Sequence, residues 1–185
     1  MLDDVLADAS NRMETTLEVL HRDLGAIRTG RASPALVDRM MIDYYGTPTP
    51  LNQLAGISAP EARLLVIQPW DRGSMQAIER SILESDLGLT PNSDGVVIRL
   101  EIPTLTEERR IELVRLVRAK VEDAKVAVRN VRRDAIDNSK ELLNEKMISE
   151  DEERRAESDI QELTDKYVGQ TDEMGKAKEQ EVLEF

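Results

Sequence analysis

TEERRIELVRLVRAKVEDAKVAVRNVRRDAIDNSKELLNEKM, residues 106–147, decides the fold. Apolar or small residues recur at Leu113, Val117, Val121, Ala124, Val128, Val131, Ala135 and Leu142, with Asn138 filling the gap. Steps that alternate between three and four residues make the seam of a long helix that packs on other helices. Beside that seam runs a second stripe. At about 100° per residue, Arg118, Lys125, Arg129 and Arg132 fall within roughly 60° of one another. One side of the rod asks for a packing partner, and the neighbouring side presents positive charge. A solvated face with acidic partners is the plain reading of such a stripe, and phosphate contact is the functional one. Lys125, Arg129 and Arg132 have no Glu or Asp at i±4, apart from Glu122 near Lys125.

Working outward, the N-terminal side repeats the pattern. Leu2, Leu6, Ala9, Met13, Leu17, Leu20, Leu24 and Ile27 predict a helix over 2–27, about 40 Å long. RTGRASP (28–34) then stops it, with Gly30 and Pro34 allowing a bend. On the C-terminal side, Ser149 and Glu152 have capping-box spacing. A third helix follows, with Ala156, Ile160, Leu163, Tyr167, Met174 and Ala177 on one face. Gly169 and Gly175 weaken it by about 1 kcal/mol each relative to alanine. Thr106 is placed to cap the long middle helix, and Glu107 and Glu108 suit the positive end of its dipole.

Between residues 35 and 103 the period changes. VDRMMIDYYG (37–46), RLLVIQP (63–69) and VVIRLEI (96–102) read as strands. TPTP (47–50) is a turn or an edge segment, and NSDG (92–95) a candidate tight turn. Ser74 looks like the N-cap of a helix through Asp86, with Met75, Ile78 and Ile82 on one face. Trp70, at a strand end, is expected to pack this module, and His21 to sit at the rim of the first helix's seam. Of the Tyr44–Tyr45 pair, at most one side chain is expected to be buried, because neighbours on a strand face opposite ways.

The expected fold is therefore α+β: a three-helix bundle (1–29 and 106–185) with an inserted small α/β, β-rich domain (31–104), in an L-shaped two-domain arrangement. Two chain crossings, near 29–31 and 103–106, join the parts. Thr29, Gly30, Pro103, Thr104 and Leu105 are the expected hinge residues.

Composition narrows the function. Aromatics are 3% of the chain, which argues against base stacking as a binding mode. Cysteine is absent and there is one histidine, so thiolate and multi-histidine metal sites are out. No P-loop, GxSxG or HExxH motif occurs, and the clustered carboxylates at 150–153 belong to a helix start. No cofactor and no catalytic centre are expected. No apolar run has the length of a membrane span, and the acidic MLDDVLAD start lacks signal-peptide features, so a cytoplasmic location is expected. The net charge is −12, but it is unevenly spread. Residues 109–133 carry nine Lys/Arg against three Asp/Glu, and residues 134–185 seven against seventeen. Local patches rather than the mean decide phosphate contacts.

Several segments together resemble the ribosome recycling factor family: RTGRASP, DYYGTPTPLNQLA (43–55), SDLGLTPNSDG (85–95), PTLTEERR (103–110), VAVRNVRRDA (126–135) and SEDEERR (149–155). They stand in family order and spacing across nearly the whole chain. The resemblance implies the same bundle-plus-insert fold. It also implies a factor that binds the post-termination ribosome, contacts large-subunit ribosomal RNA at the subunit interface, and splits the subunits with elongation factor G and GTP. It further implies a monomer without membrane or cofactor. It places the RNA-contacting arginines on Arg28, Arg31, Arg129 and Arg132, with Arg109, Arg110, Lys125 and Arg133 secondary. The competing reading is a helical scaffold or chaperone-like protein-interaction module that uses the seams to hold protein partners.

Overall fold

The computed structural model describes residues 1–184. The chain divides into two compact units, Met1–Leu24 with Glu112–Gln180, and Gly25–Ile111 with the residues from Glu181. The expected hinge residues all lie inside the second unit, a turn or more from these divisions.

The first unit is built on three helices: α1 (Leu2–Gly25), α3 (Glu107–Asn144) and α4 (Glu150–Glu184), numbered with α2 below. Ala9 and Met13 of α1, Val128, Val131 and Ala135 of α3, and Ile160 and Tyr167 of α4 form one buried core. The α3 seam is buried as read from Leu113 through Ala135, but its next member is Ser139. Asn138 is exposed and Leu142 only half-buried. Serine is tolerated there because its hydroxyl donates to the Ile136 carbonyl at 2.9 Å, leaving no unpaired donor.

The α4 seam differs more. Its buried positions are Glu153, Ala156, Ile160, Thr164, Tyr167, Thr171, Gly175 and Val182, whereas Met174 is half-buried and Ala177 exposed. Thr164 donates to the Ile160 carbonyl and Thr171 to the Val168 carbonyl, each at 2.7 Å, so neither buried hydroxyl is left unpaired. Gly175 is a close-approach site: a Cβ there would stand 2.6 Å from Cγ2 of Val121 on α3. Both predicted helix starts are capped. The Arg109 N–H donates to the Thr106 hydroxyl at 3.2 Å. The Ser149 N–H donates to Glu152 at 2.7 Å, and the Glu152 N–H returns to the Ser149 hydroxyl at 3.3 Å. Helix α1 stops at Gly25, two residues before the expected Ile27, although Ile27 is buried.

The second unit holds a four-stranded antiparallel sheet in the order β3-β4-β6-β5, from β3 (Ala55–Glu61), β4 (Leu64–Pro69), β5 (Pro91–Ser93) and β6 (Ile98–Glu101). Leu65 and Ile67 of β4 and Ile98 and Leu100 of β6 are buried, and α2 (Met75–Glu84) supplies Met75, Ile78 and Ile82 to the same core. The hairpin β1 (Met41–Tyr44) with β2 (Thr47–Pro50) forms a separate two-stranded ladder. TPTP is thus a strand of that ladder, where proline is compatible with pairing on one edge only. The β3 and β5 strands escaped the sequence reading because both are sheet edges that contain Pro and few bulky apolar residues. Residues 37–40 are not strand: Ser33 accepts the Ala35 N–H and starts a 3-10 turn at Pro34–Leu36 instead. Nor does the Ser74 side chain cap α2. It donates back to the Asp71 carbonyl at 2.7 Å, while the Asp71 side chain accepts from Gly73.

Candidate nucleic-acid interface

The basic stripe on α3 is divided by its neighbours. Arg118 and Lys125 are taken up by α4 carboxylates. Arg118 Nε lies 2.7 Å from Glu179 Oε1, which raises the guanidinium pKa, and Lys125 Nζ lies 2.5 Å from Asp172 Oδ1. The low acid count within α3 therefore does not leave these two cations unpaired: the acids come from another helix, at no fixed sequence spacing.

Arg129 and Arg132, one turn further along, are placed differently. Arg129 is exposed, and its nearest carboxylate is Glu122 on its own helix, 3.6 Å away with both side chains more than half exposed. A pair that open and that long contributes little, on the order of 0–1 kcal/mol. Arg132 is half-buried and donates Nε–H to Gln161 Oε1 at 2.7 Å. Gln161 is itself fixed by Asp165, to which its amide donates at 2.8 Å. No carboxylate pairs with Arg132 among the described residues. A neutral acceptor thus orients the guanidinium through Nε while its terminal nitrogens keep their charge for a bidentate anion. Gln161 belongs to this site, and the sequence reading passed it over because an amide on a different helix carries no charge signal.

Arg133 is exposed on the following position of α3. In the second unit, Arg31 and Arg109 are exposed, and Arg110 donates to the Leu183 carbonyl at 3.3 Å. Arg28 is turned into the protein, with Nη1 on the Leu87 carbonyl at 3.3 Å and Nη2 on the Pro103 carbonyl at 3.1 Å. Burial, and after it the charge of Arg109, lowers its pKa from the usual arginine value. Of the expected hinge residues, Thr29, Gly30 and Leu105 are buried and Pro103 and Thr104 exposed.

The second unit also carries a surface aromatic cluster. Tyr45 and Gly46 both have positive φ (49° and 84°), the signature of a two-residue type I′ hairpin turn. Tyr44 and Tyr45 both donate to Asp71 Oδ2, at 3.0 and 3.2 Å, with their rings in edge contact. The Gly73 N–H and then the Tyr44 hydroxyl hold the Asp71 carboxyl below its ordinary pKa. Tyr45 is 76% exposed and Tyr44 half-buried, so at most one is covered, but strand alternation is not the reason: Tyr45 is a turn residue, and both side chains reach the same carboxylate. Trp70 is 69% exposed, so it does not pack the module as expected. The strand end leaves its ring outside while its backbone N–H donates to the Leu54 carbonyl. His21 is exposed.

Among the described residues no cluster of His, Cys, Asp and Glu could hold a metal ion, and no helix is long and apolar enough to cross a membrane. What the geometry defines is a binding factor: a three-helix bundle carrying an oriented cationic patch, with a small antiparallel module inserted between its first and second helices. Residues 20–183 match the sequence model of the ribosome recycling factor. The ribosome-recycling factor of Thermomicrobium roseum is 55% identical over the full length of both chains, and that of Carboxydothermus hydrogenoformans is 55% identical over 99% of each. A solution structure of the ribosome recycling factor superimposes with a TM-score of 0.78 at 44% identity, covering 100% of this chain and 98% of the other. The T. thermophilus ribosome recycling factor, described with E. coli elongation factor G on the E. coli post-termination complex, gives 0.70 at 46% identity over 99% of each chain. The chain belongs to the ribosome recycling factor family. It is accordingly a non-enzymatic translation factor, and the scaffold alternative finds no support in these relatives.

Proposed function

We propose that this chain binds the post-termination ribosome and, with elongation factor G and GTP, splits the subunits so that they are recycled in the cytoplasm. One observation carries the reading: the full-length match to recycling factors, one of which is described with elongation factor G on the post-termination complex. Arg129 and Arg132 are the principal contacts to ribosomal RNA phosphates from the first unit in this reading, with the secondary Arg133 beside them, and Arg31 is a contact from the second unit. The orientation of Arg132 by Gln161 supports that role, because a guanidinium held through Nε meets two phosphate oxygens with little further loss of entropy. Lys125 and Arg118, committed to Asp172 and Glu179, contribute less. The chain crossings near 29–31 and 103–106 act as the hinge about which the inserted module swings under the force of elongation factor G.

The test is a polysome-breakdown and subunit-splitting assay, with elongation factor G and GTP, in the presence and absence of the protein. Splitting that requires all three components is the expected result. Binding to a protein target that is insensitive to salt, without splitting, would instead revive the scaffold reading.

A further inference from the structure

Arg28 differs from Arg129 and Arg132 in where its guanidinium goes. Its two terminal nitrogens donate to the carbonyls of Leu87 and Pro103, 59 and 75 residues away. Leu87 lies in the loop after α2, and Pro103 in the segment that leaves β6 toward α3. Arg28 itself follows the end of α1. One planar group therefore spans three separate backbone segments. Its Nε is buried and has no hydrogen-bond partner, and the neighbouring charge of Arg109 opposes it. A cation held against desolvation and like charge, with one donor unsatisfied, is a poor reserve for a mobile phosphate but a good brace. The planar fork suits two acceptors at a fixed separation. A lysine ammonium can supply the charge but not that geometry.

We propose that Arg28 is a positioning residue that clamps the two chain crossings to the loop after α2. The segment that enters the inserted module and the segment that leaves it are then tied to each other and turn together as one joint, while the joint as a whole stays free to rotate. A push on the module is passed to both helices to which the chain joins it, instead of being lost in slack. This rests on the recycling function proposed above. It reassigns to force transmission an arginine that the family resemblance had put among the RNA contacts.

The experiment compares the full-length wild type, Arg28→Lys and Arg28→Gln in three measurements. These are ribosome binding across a salt series, the splitting rate at saturating factor with elongation factor G and GTP, and amide hydrogen exchange. A brace predicts that both variants lose maximal splitting rate by roughly tenfold, the scale of one lost charge-assisted hydrogen bond. It also predicts that half-saturating concentration and salt slope stay near wild type. Exchange should rise in 85–90 and 100–106 and not elsewhere. The proposal is overturned if Arg28→Lys splits ribosomes normally while Arg28→Gln weakens binding and flattens the salt slope, since lysine can replace a phosphate contact. A uniform rise in exchange along the chain also overturns it, by making the residue a general stabiliser. If the wild type itself fails to split ribosomes, the functional reading is lost, and the exchange pattern still decides whether the brace exists.

Discussion

Gly169 and Gly175 lie on the same helix and carry the same intrinsic penalty, yet replacing each with alanine should move stability in opposite directions. At Gly169 a Cβ would meet nothing within 4 Å. Alanine there gains only the helix propensity, about 1 kcal/mol. At Gly175 the added carbon would lie 2.6 Å from Val121 Cγ2 and 3.7 Å from its Cβ and Cγ1. Carbon–carbon contact is optimal at about 3.5–4.0 Å, so the helices or the valine must yield by roughly 1 Å. Val121 is buried, and a β-branched side chain on a helix has one strongly preferred rotamer, so it cannot swing away cheaply. Overpacking of this kind costs about 1–3 kcal/mol, which meets or exceeds the propensity gain. Gly175→Ala is therefore expected to destabilise by up to about 2 kcal/mol and Gly169→Ala to stabilise by about 1. Urea unfolding followed by helical circular dichroism measures both. Adding Val121→Ala to Gly175→Ala should recover part of the loss, giving a favourable coupling in the double-mutant cycle. Equal stabilisation by the two glycine replacements, or zero coupling to Val121, would show that α3 and α4 do not approach as described.

Two further predictions concern acid titration and the hinge. The Asp94 carboxylate accepts the Val97 and Val96 N–H groups and Arg99, which hold its pKa well below the ordinary range. A depressed folded-state pKa stabilises the fold above the unfolded value, near 4, and that contribution is lost as pH falls through the folded value. Asp94→Asn should therefore lose stability at neutral pH and show a shallower acid limb, and NMR titration should place the Asp94 midpoint well below the ordinary aspartate range. A cross-link that rigidifies the crossings near 29–31 and 103–106 should spare ribosome binding but slow splitting. Recycling at the normal rate by the cross-linked protein would remove the hinge from the account.

How much was legible depended on whether a residue's partner stood at a fixed spacing. Leu113 through Ala135 read correctly because a seam repeats within its own helix. The same rule failed at Ser139, Thr164 and Thr171, where polar side chains become buried by bonding their own helix backbone, and at Gly175, where absence of a side chain is what packs. The capping residues Thr106, Ser149 and Glu152 were local and readable, whereas Asp71, which holds both Tyr44 and Tyr45, was not. On the candidate interface, helical arithmetic grouped Arg118, Lys125, Arg129 and Arg132. Only tertiary structure separates the first two, answered by Glu179 and Asp172, from the last two. Arg28 was the extreme case, because both of its acceptors are backbone carbonyls, which no side-chain pattern announces.

The most direct test is the salt dependence of large-subunit binding for Arg132→Gln beside Arg118→Gln. Each phosphate contact contributes roughly 0.7–0.9 to the slope of log affinity against log salt, so losing the Arg132 contact should flatten the slope by about that much. It should also weaken binding by about 1–3 kcal/mol with the fold intact. Arg118, already paired with Glu179, should change neither quantity appreciably. If both substitutions lower the slope equally, or if a folded Arg132→Gln protein binds as the wild type does, then the division of the α3 stripe into committed and available cations is wrong.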